Sequence, residues 1–325
     1  MINTKTDTLT KASPRGGLEG LRDKIFKSVL FIAACLIILL TAGIIYGLVS
    51  KSIGAFSEFG ILNFITSTEW DSRNDEYGAL PFIAGTMLTS ILALLFCIPF
   101  SLSVALFNGE YFRNKKISTI VSSVVDLLAG IPSIVYGLWG FYTLRPILID
   151  MGVSDQGFGV LLSSIVLAIM IIPYASSLST EFIAMVPNDL KEGAYSLGAT
   201  RLEVITSVNL PVAGSGIFAA YVLAFGRALG ETMAVTMLIG NTNNIPTSLA
   251  DTGNSMASII ANQFGEASGL KLSSLMAIGL LLFLITAGIN FVAKYIMKMF
   301  TSPTPSKWRG VGKATMTKRL LLNKE

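Results

Sequence analysis

Glu192-Gly193-Ala194, then three residues to Gly198, then nine more to Val208-Asn209-Leu210-Pro211, make a polar stretch between two long apolar ones. Its local chemistry predicts an elbow of two short helices. Pro187 and Asn188 suit a helix start, since a fixed φ and a short polar side chain both serve the first turn. Gly198 suits the end, because glycine enters the left-handed backbone at least cost. Thr200 and Glu203 have the spacing of a reciprocal capping box that opens a second helix, and Pro211 is expected to limit that helix. An ordinary amphipathic connection between two spanning helices is the alternative reading.

Composition places the elbow beside a membrane. The hydrophobic fraction is 52% and the charged fraction 14%, with a mean hydropathy of +0.66, far from soluble averages. Crossing the hydrocarbon takes about 20 apolar residues, and six stretches are long enough: Phe26 to Val49, Pro81 to Phe107, Ile117 to Tyr142, Gly159 to Phe182, Ala213 to Gly240 and Leu272 to Met297. The expectation is an all-α integral membrane protein with six transmembrane helices. An N-terminal arm would cover residues 1–24, a membrane domain 25–300 with the elbow at 187–211, and a basic tail 301–325. The first stretch follows a long basic lead and has no small-residue cleavage site, so it does not read as a cleaved signal peptide.

Lys and Arg set the orientation, since they accumulate on the cytoplasmic side. Of 24 such residues, most fall in the N-terminal arm, at Arg113 to Lys116, in the elbow at Lys191 and Arg201, and in the C-terminal tail. The alternate segments hold only Lys51, Arg73, Arg145 and Lys271, and Arg227 lies within a stretch. Both termini and the elbow are therefore expected to be cytoplasmic. This bias accounts for a pI near 9.0 without any role for nucleic acid.

Several chemistries are excluded or disfavoured. The chain has no histidine, which removes His-based triads and His metal sites. Cys35 and Cys97 both lie in apolar stretches, where packing is the expected role, and no carboxylate or cysteine cluster has metal-ligand spacing. Gly310, Gly312 and Lys313 resemble a phosphate loop only superficially, because Lys307 stands where the first glycine belongs and Ala314 follows the lysine. With no Walker motif elsewhere, no cofactor is expected on this chain. No nucleotide hydrolysis by that route is expected, any ATP hydrolysis would have to come from a separate polypeptide, and the chain itself would not be an enzyme.

Two outer segments are notable. After the first stretch, Phe56, Phe59, Ile61, Leu62, Phe64 and Ile65 suggest an interfacial helix or turn, Trp70 fits an aromatic belt, and Glu69 to Tyr77 reads as an acidic loop. Asn241 to Lys271 reads equally as part of a docking surface for a soluble partner or as a solvated connector.

Charges at membrane depth carry the strongest chemical signal. Arg227 sits near the middle of the fifth stretch, where an arginine costs about 2.5 to 3.5 kcal/mol on insertion scales and should face protein or a watery cavity. Glu231, one turn on, is expected to pair with it directly or through water. Such a pair either meets an anion in passage or locks helix packing. Gly226 and Gly230 are spaced for close helix approach. Asp126 is a further ionisable group, and it precedes Pro132, which is expected to bend or interrupt the third stretch. Asp126 could reach Arg227 from a neighbouring helix. Pro99 and Pro173 are expected to bend the second and fourth stretches.

The elbow resembles the Glu-Ala-Ala-x3-Gly-x9-Ile-x-Leu-Pro signature of the membrane subunits of bacterial ATP-binding-cassette importers, with Gly193 in place of the first alanine and Val208 in place of isoleucine. Other stretches resemble the PstC-type permeases of the phosphate-specific transport system. These are Thr66-Ser67-Thr68-Glu69-Trp70, Gly78-Ala79-Leu80-Pro81-Phe82, the run from Gly130 to Gly140, and Gly226-Arg227-Ala228-Leu229-Gly230-Glu231-Thr232-Met233-Ala234-Val235. The resemblance covers about residues 20–300 and implies a type I (MetI-like) importer permease of the bacterial inner membrane. It implies a PstA-type sister permease, two PstB-type ATPases that bind the ATP, and a PstS-type phosphate-binding protein. Glu192, Gly193, Ala194, Gly198, Leu210 and Pro211 would map onto the ATPase-coupling helix, and Arg227, Glu231, Asp126 and Thr232 onto the substrate pathway. Arg227 suits phosphate, since a guanidinium fork matches its oxygens.

Alternatives within this class are a permease for sulfate or molybdate, or the sister subunit of the same system. From another class comes an ion-coupled secondary carrier with Asp126 and Glu231 as proton relays, which leaves the elbow unexplained. An intramembrane hydrolase lacks a nucleophile beside a base.

Overall fold

The computed structural model describes residues 17–301, and side chains from 21 to 298. The expected arm and tail lie largely outside them, including Gly310, Gly312 and Lys313. Helix α1, Gly17–Phe59, is 43 residues long, and its most apolar stretch has no residue buried within the chain. Only its far end joins the bundle. Ser52 and Ala55 are fully buried there, and the Ser273 hydroxyl accepts the Ala55 N–H at 2.9 Å while donating to Lys51 O at 2.7 Å. The missing side chain of Gly54 admits that serine, since a Cβ would stand 2.8 Å from its Oγ.

A short α2, Ile61–Thr66, leads into a two-stranded hairpin, β1 Trp70–Asp71 against β2 Glu76–Tyr77, with Trp70 opposite Tyr77. The segment expected to be an acidic loop is thus ordered, and Trp70 is not in a lipid-facing belt. It is 8% exposed. Its ring meets those of Tyr77 and Phe82 edge-on at 4.9 and 5.0 Å, and its Nε1 donates to Gln263 Oε1 at 3.1 Å. An indole with its one donor satisfied is stable in a core, and this outweighs its taste for the interface.

Helix α3, Leu80–Leu106, runs on through Pro99 into a π turn at Phe107–Tyr111. Then come α4, Lys116–Gly130, α5, Ser133–Trp139, a π turn at Gly140–Leu144, and α6, Arg145–Asp150. The third apolar stretch is therefore not one rod. Its two parts meet at 94°, because Pro132 holds Ile131 extended at ψ 127° and has no N–H of its own.

Helix α7, Val160–Ala184, passes through Pro173 and is the centre of the bundle. Its most apolar window is 67% buried, against 28% in the corresponding windows of the second and last spans. Leu162, Val166, Leu167, Ile171 and Ala175 pack there with Ala224 and Ala228, small residues that let backbones approach without lipid between them. Ser163 and Ser164 return their hydroxyls to the carbonyls four residues back.

The elbow follows as α8, Asn188–Ser196, and α9, Arg201–Val204, and then a π turn at Ile205–Asn209 leads directly into α10, Leu210–Leu229. Pro211 does not end the second elbow helix. The Leu210 N–H reaches five residues back to Ile205 O, and this wider register lets a residue with no N–H follow without breaking the rod. Arg201–Leu229 is one helix of 29 residues.

The fifth stretch does break later, at Gly230-Glu231-Thr232, before α11, Met233–Leu238. Gly230 gives the helix little support. Residues 241–268 fold back over the outer end through α12, Met256–Gln263. The Met256 N–H donates to Thr86 Oγ1 at 2.9 Å, so this is no loose connector. Helix α13, Gly269–Thr301, completes the bundle beside α1 and α10. Among the described residues five helices are long and apolar enough to span a membrane, and the bent α4–α5–α6 unit makes a sixth.

Candidate functional site

At the elbow, Gly198 has φ 85° and closes α8 with paired bonds. Its N–H donates to Tyr195 O at 2.9 Å, and the Ala199 N–H donates to Ala194 O at 3.2 Å, the two-bond closure that satisfies the last carbonyls of a helix. The capping box is present. The Thr200 N–H donates to Glu203 Oε2 at 2.7 Å, and the Glu203 N–H donates to Thr200 Oγ1 at 3.4 Å. These bonds, the backbone one foremost, hold the Glu203 carboxyl below its usual range. Glu192 and Gly193 are exposed, and a Cβ on Gly193 would meet nothing within 4 Å. The alanine of the importer signature would therefore fit there.

The outer face of the elbow is apolar and uncovered. Leu197 is 91% exposed and Leu202 64%. Its inner face is latched. Lys191 Nζ forms a buried ion pair with Glu110 Oε2 at 2.5 Å. Arg201 donates to Tyr111 O at 2.8 Å and stacks 4.2 Å over the Tyr111 ring. Glu110 and Tyr111 belong to the π turn that ends α3, so the elbow grips a helix far from it in sequence. Leu210 packs beside Ala105 and Ile183, while Pro211 is exposed.

In the membrane, Arg227 occupies the last turn of α10 and is exposed. It does not pair with Glu231. The helix ends between them, so the one-turn geometry on which that expectation rested is lost. The Glu231 N–H donates to Ala228 O at 3.3 Å, and Thr232 Oγ1 donates to Gly230 O at 3.3 Å. The Arg227 guanidinium lies instead over the Tyr174 ring, 4.0 Å from its centroid. Gly226 faces Asn290 of α13 at ordinary contact, and a Cβ on Gly230 would meet no other helix, so the two glycines do not form one tight seam.

Asp126 lies apart from Arg227. It lines a polar cavity of about 190 Å³ with Asn108, Ser122, Ser176, Thr180 and Glu181. Among the described residues no ion pair joins Asp126 or Glu231 to Arg227. A second cavity, of about 520 Å³, opens between the hairpin and Asn243 to Ile245, at the end of the bundle opposite the elbow. There the Glu76 carboxyl is pushed up, because in its protonated form it can donate to the Glu69 carboxylate and because the Glu69 charge repels its own.

Sequence reasoning missed Glu110, Glu181 and Tyr174. Glu110 stands alone beside the basic run Arg113 to Lys116, and Glu181 sits in the last turn of an apolar stretch, so both carried a signal. Tyr174 carried none, because an aromatic residue in a membrane helix is ordinary.

Comparison with known proteins agrees with this architecture. Residues 97–302 match the family described as binding-protein-dependent transport system inner membrane component. A phosphate transport system permease protein PstC from Mesorhizobium japonicum is 39% identical over 304 residues, covering 87% of this chain and 92% of the relative. The PstC protein of Haemophilus influenzae is 39% identical over 294 residues, covering 85% and 93%. In fold, the chain is similar to the inward-facing MetNI methionine ABC transporter, with a TM-score of 0.53 at 17% identity over 69% of this chain and 94% of that one. The chain is thus a multi-pass inner-membrane permease and belongs to the family of binding-protein-dependent transport system inner membrane components, in its PstC-type branch.

Proposed function

We infer that the chain is the PstC-type permease subunit of an ATP-driven phosphate importer, with both termini and the elbow in the cytoplasm. A PstA-type sister permease completes the pathway, two PstB-type subunits bind and hydrolyse ATP, and a PstS-type protein delivers phosphate from outside. The exposed Leu197 and Leu202 face of the elbow gives the ATPase an apolar surface to grip. Closure of the nucleotide subunits then moves α8 and α9, and the latch to Glu110 carries α3 with them.

The observation that carries the anion reading is Arg227. Its guanidinium lies over the Tyr174 ring with no carboxylate paired to it among the described residues, and a fork of that kind matches the oxygens of phosphate. Glu231 and Thr232, at the helix break just after Arg227, are read as polar wall groups of the pathway, and Asp126, in its separate cavity, as a further polar group along it.

Uptake of labelled phosphate by the reconstituted complex tests the reading. Transport should be lost when ATP is depleted with the proton gradient intact, and should survive an uncoupler while ATP stays high. The reverse pattern would make the chain a secondary carrier. Sulfate and molybdate in excess should leave phosphate uptake unchanged, and strong competition by either would reassign the substrate.

A further inference from the structure

Three hydrogen bonds and one cation-π contact surround the break between α4 and α5. The last turn of α4 leaves carbonyls without helical partners, and two tyrosines from other elements take them. Tyr136 of α5 donates to Leu128 O at 2.8 Å, and Tyr174 of α7 donates to Ala129 O at 3.3 Å. The Ile131 N–H also donates to Leu128 O, at 3.2 Å, and the face of Tyr174 carries the Arg227 guanidinium at 4.0 Å. The arginine thus rests against a ring whose far end is tied to the negative pole of α4.

This mode of support differs in kind from an ion pair. A carboxylate would occupy two of the guanidinium donors and cancel its charge. A ring face attracts the cation through its quadrupole and leaves the N–H edge free. The partial negative charge of the α4 carbonyl end adds attraction from the same side.

We propose that Tyr174 is a positioning residue for anion capture: its face seats Arg227 with the N–H fork free for an incoming oxyanion, and its hydroxyl fixes that seat to the α4 break. The proposal rests on Arg227 being the anion contact. Tyr174 does not touch the anion.

The test uses the complete transporter in proteoliposomes with its binding protein, ATP and labelled inorganic phosphate, read as phosphate delivered per ATP hydrolysed. Position 174 is replaced by phenylalanine and then, by stop-codon suppression, by mono-, di- and trifluorophenylalanine. Fluorine drains the ring face of negative charge while keeping its shape. A step-by-step fall is expected, reaching about three- to tenfold at the trifluoro ring, which corresponds to an attraction of about 0.6 to 1.4 kcal/mol. Tyr174→Leu should fall at least as far and Tyr174→Trp should retain activity. A purely structural tyrosine predicts a flat fluorine series, and that result with Arg227→Ala inactive would overturn the seat alone. Arg227→Ala transporting at the wild-type ratio would overturn the anion reading beneath it.

Discussion

The elbow at Gly198 and the membrane break at Pro132 interrupt the chain by opposite means. At the elbow the backbone break is closed locally, since Tyr195 and Ala194 accept from Gly198 and Ala199 and Thr200 exchanges bonds with Glu203, all within ten residues. At Pro132 the freed carbonyls of Leu128 and Ala129 draw hydroxyls from Tyr136 and from Tyr174, the latter 45 residues away. The difference follows from the solvent. An elbow at the membrane surface has water as a fallback, so local chemistry suffices. A break within a span has fewer local partners, and here side chains of the fold satisfy its backbone.

The comparison can be broken first at the latch, which joins the two regimes. Lys191→Met leaves the Glu110 carboxylate buried and unpaired, and should cost about 3 to 5 kcal/mol. The solubilised complex would show this as a lower melting temperature. The double variant with Glu110→Gln should recover most of the loss, and no recovery would mean that the pair is not what holds the elbow.

Next comes Gly198→Ala, which puts a side chain at φ 85° and should cost about 1 to 2 kcal/mol. Because nothing crowds that position, the penalty is backbone strain alone. ATP hydrolysis should uncouple from uptake before the bundle melts.

Tyr136→Phe should cost about 1 kcal/mol through the hydroxyl lost from Leu128 O, since the Ile131 N–H still reaches that carbonyl. Thr200→Ala should cost about 1 kcal/mol or less. The two sharpen the comparison by location: hydrogen exchange should rise at the α4 end in the first and only at α9 in the second.

Smallest is an effect of acid. Glu203 is held below its usual range by Thr200, so its contribution is fully present above the ordinary carboxylate pKa and is lost as pH falls through the lowered one. Exchange at α9 should rise only in that acid window, and protection unchanged down to low pH would remove the carboxylate from the cap.

The sequence made the elbow legible because its signals are local. Gly198, Thr200 and Glu203 each act within a few residues, and apolar length marks the spans. Pro132 announced a break, though not one of 94°. The Arg227–Glu231 pairing failed because helical spacing was extended across Gly230, where the helix stops. Trp70 was misplaced for a related reason: its partner Gln263 lies 193 residues away, and no pattern along the chain points there. Pro211 was read as a stop because a widened turn leaves no mark in composition.

That widened turn has a mechanical consequence. Because the helix is unbroken from Arg201 to Leu229, the elbow and the Arg227 guanidinium sit on one rod, about 40 Å apart at about 1.5 Å per residue. A tilt of only about 5° about the elbow sweeps the far end through roughly 3 Å, about the length of one hydrogen bond. Under the proposed function, the ATPase-facing elbow and the anion-facing arginine then share a lever arm, and a small stroke at one end is enough to make or unmake a contact at the other.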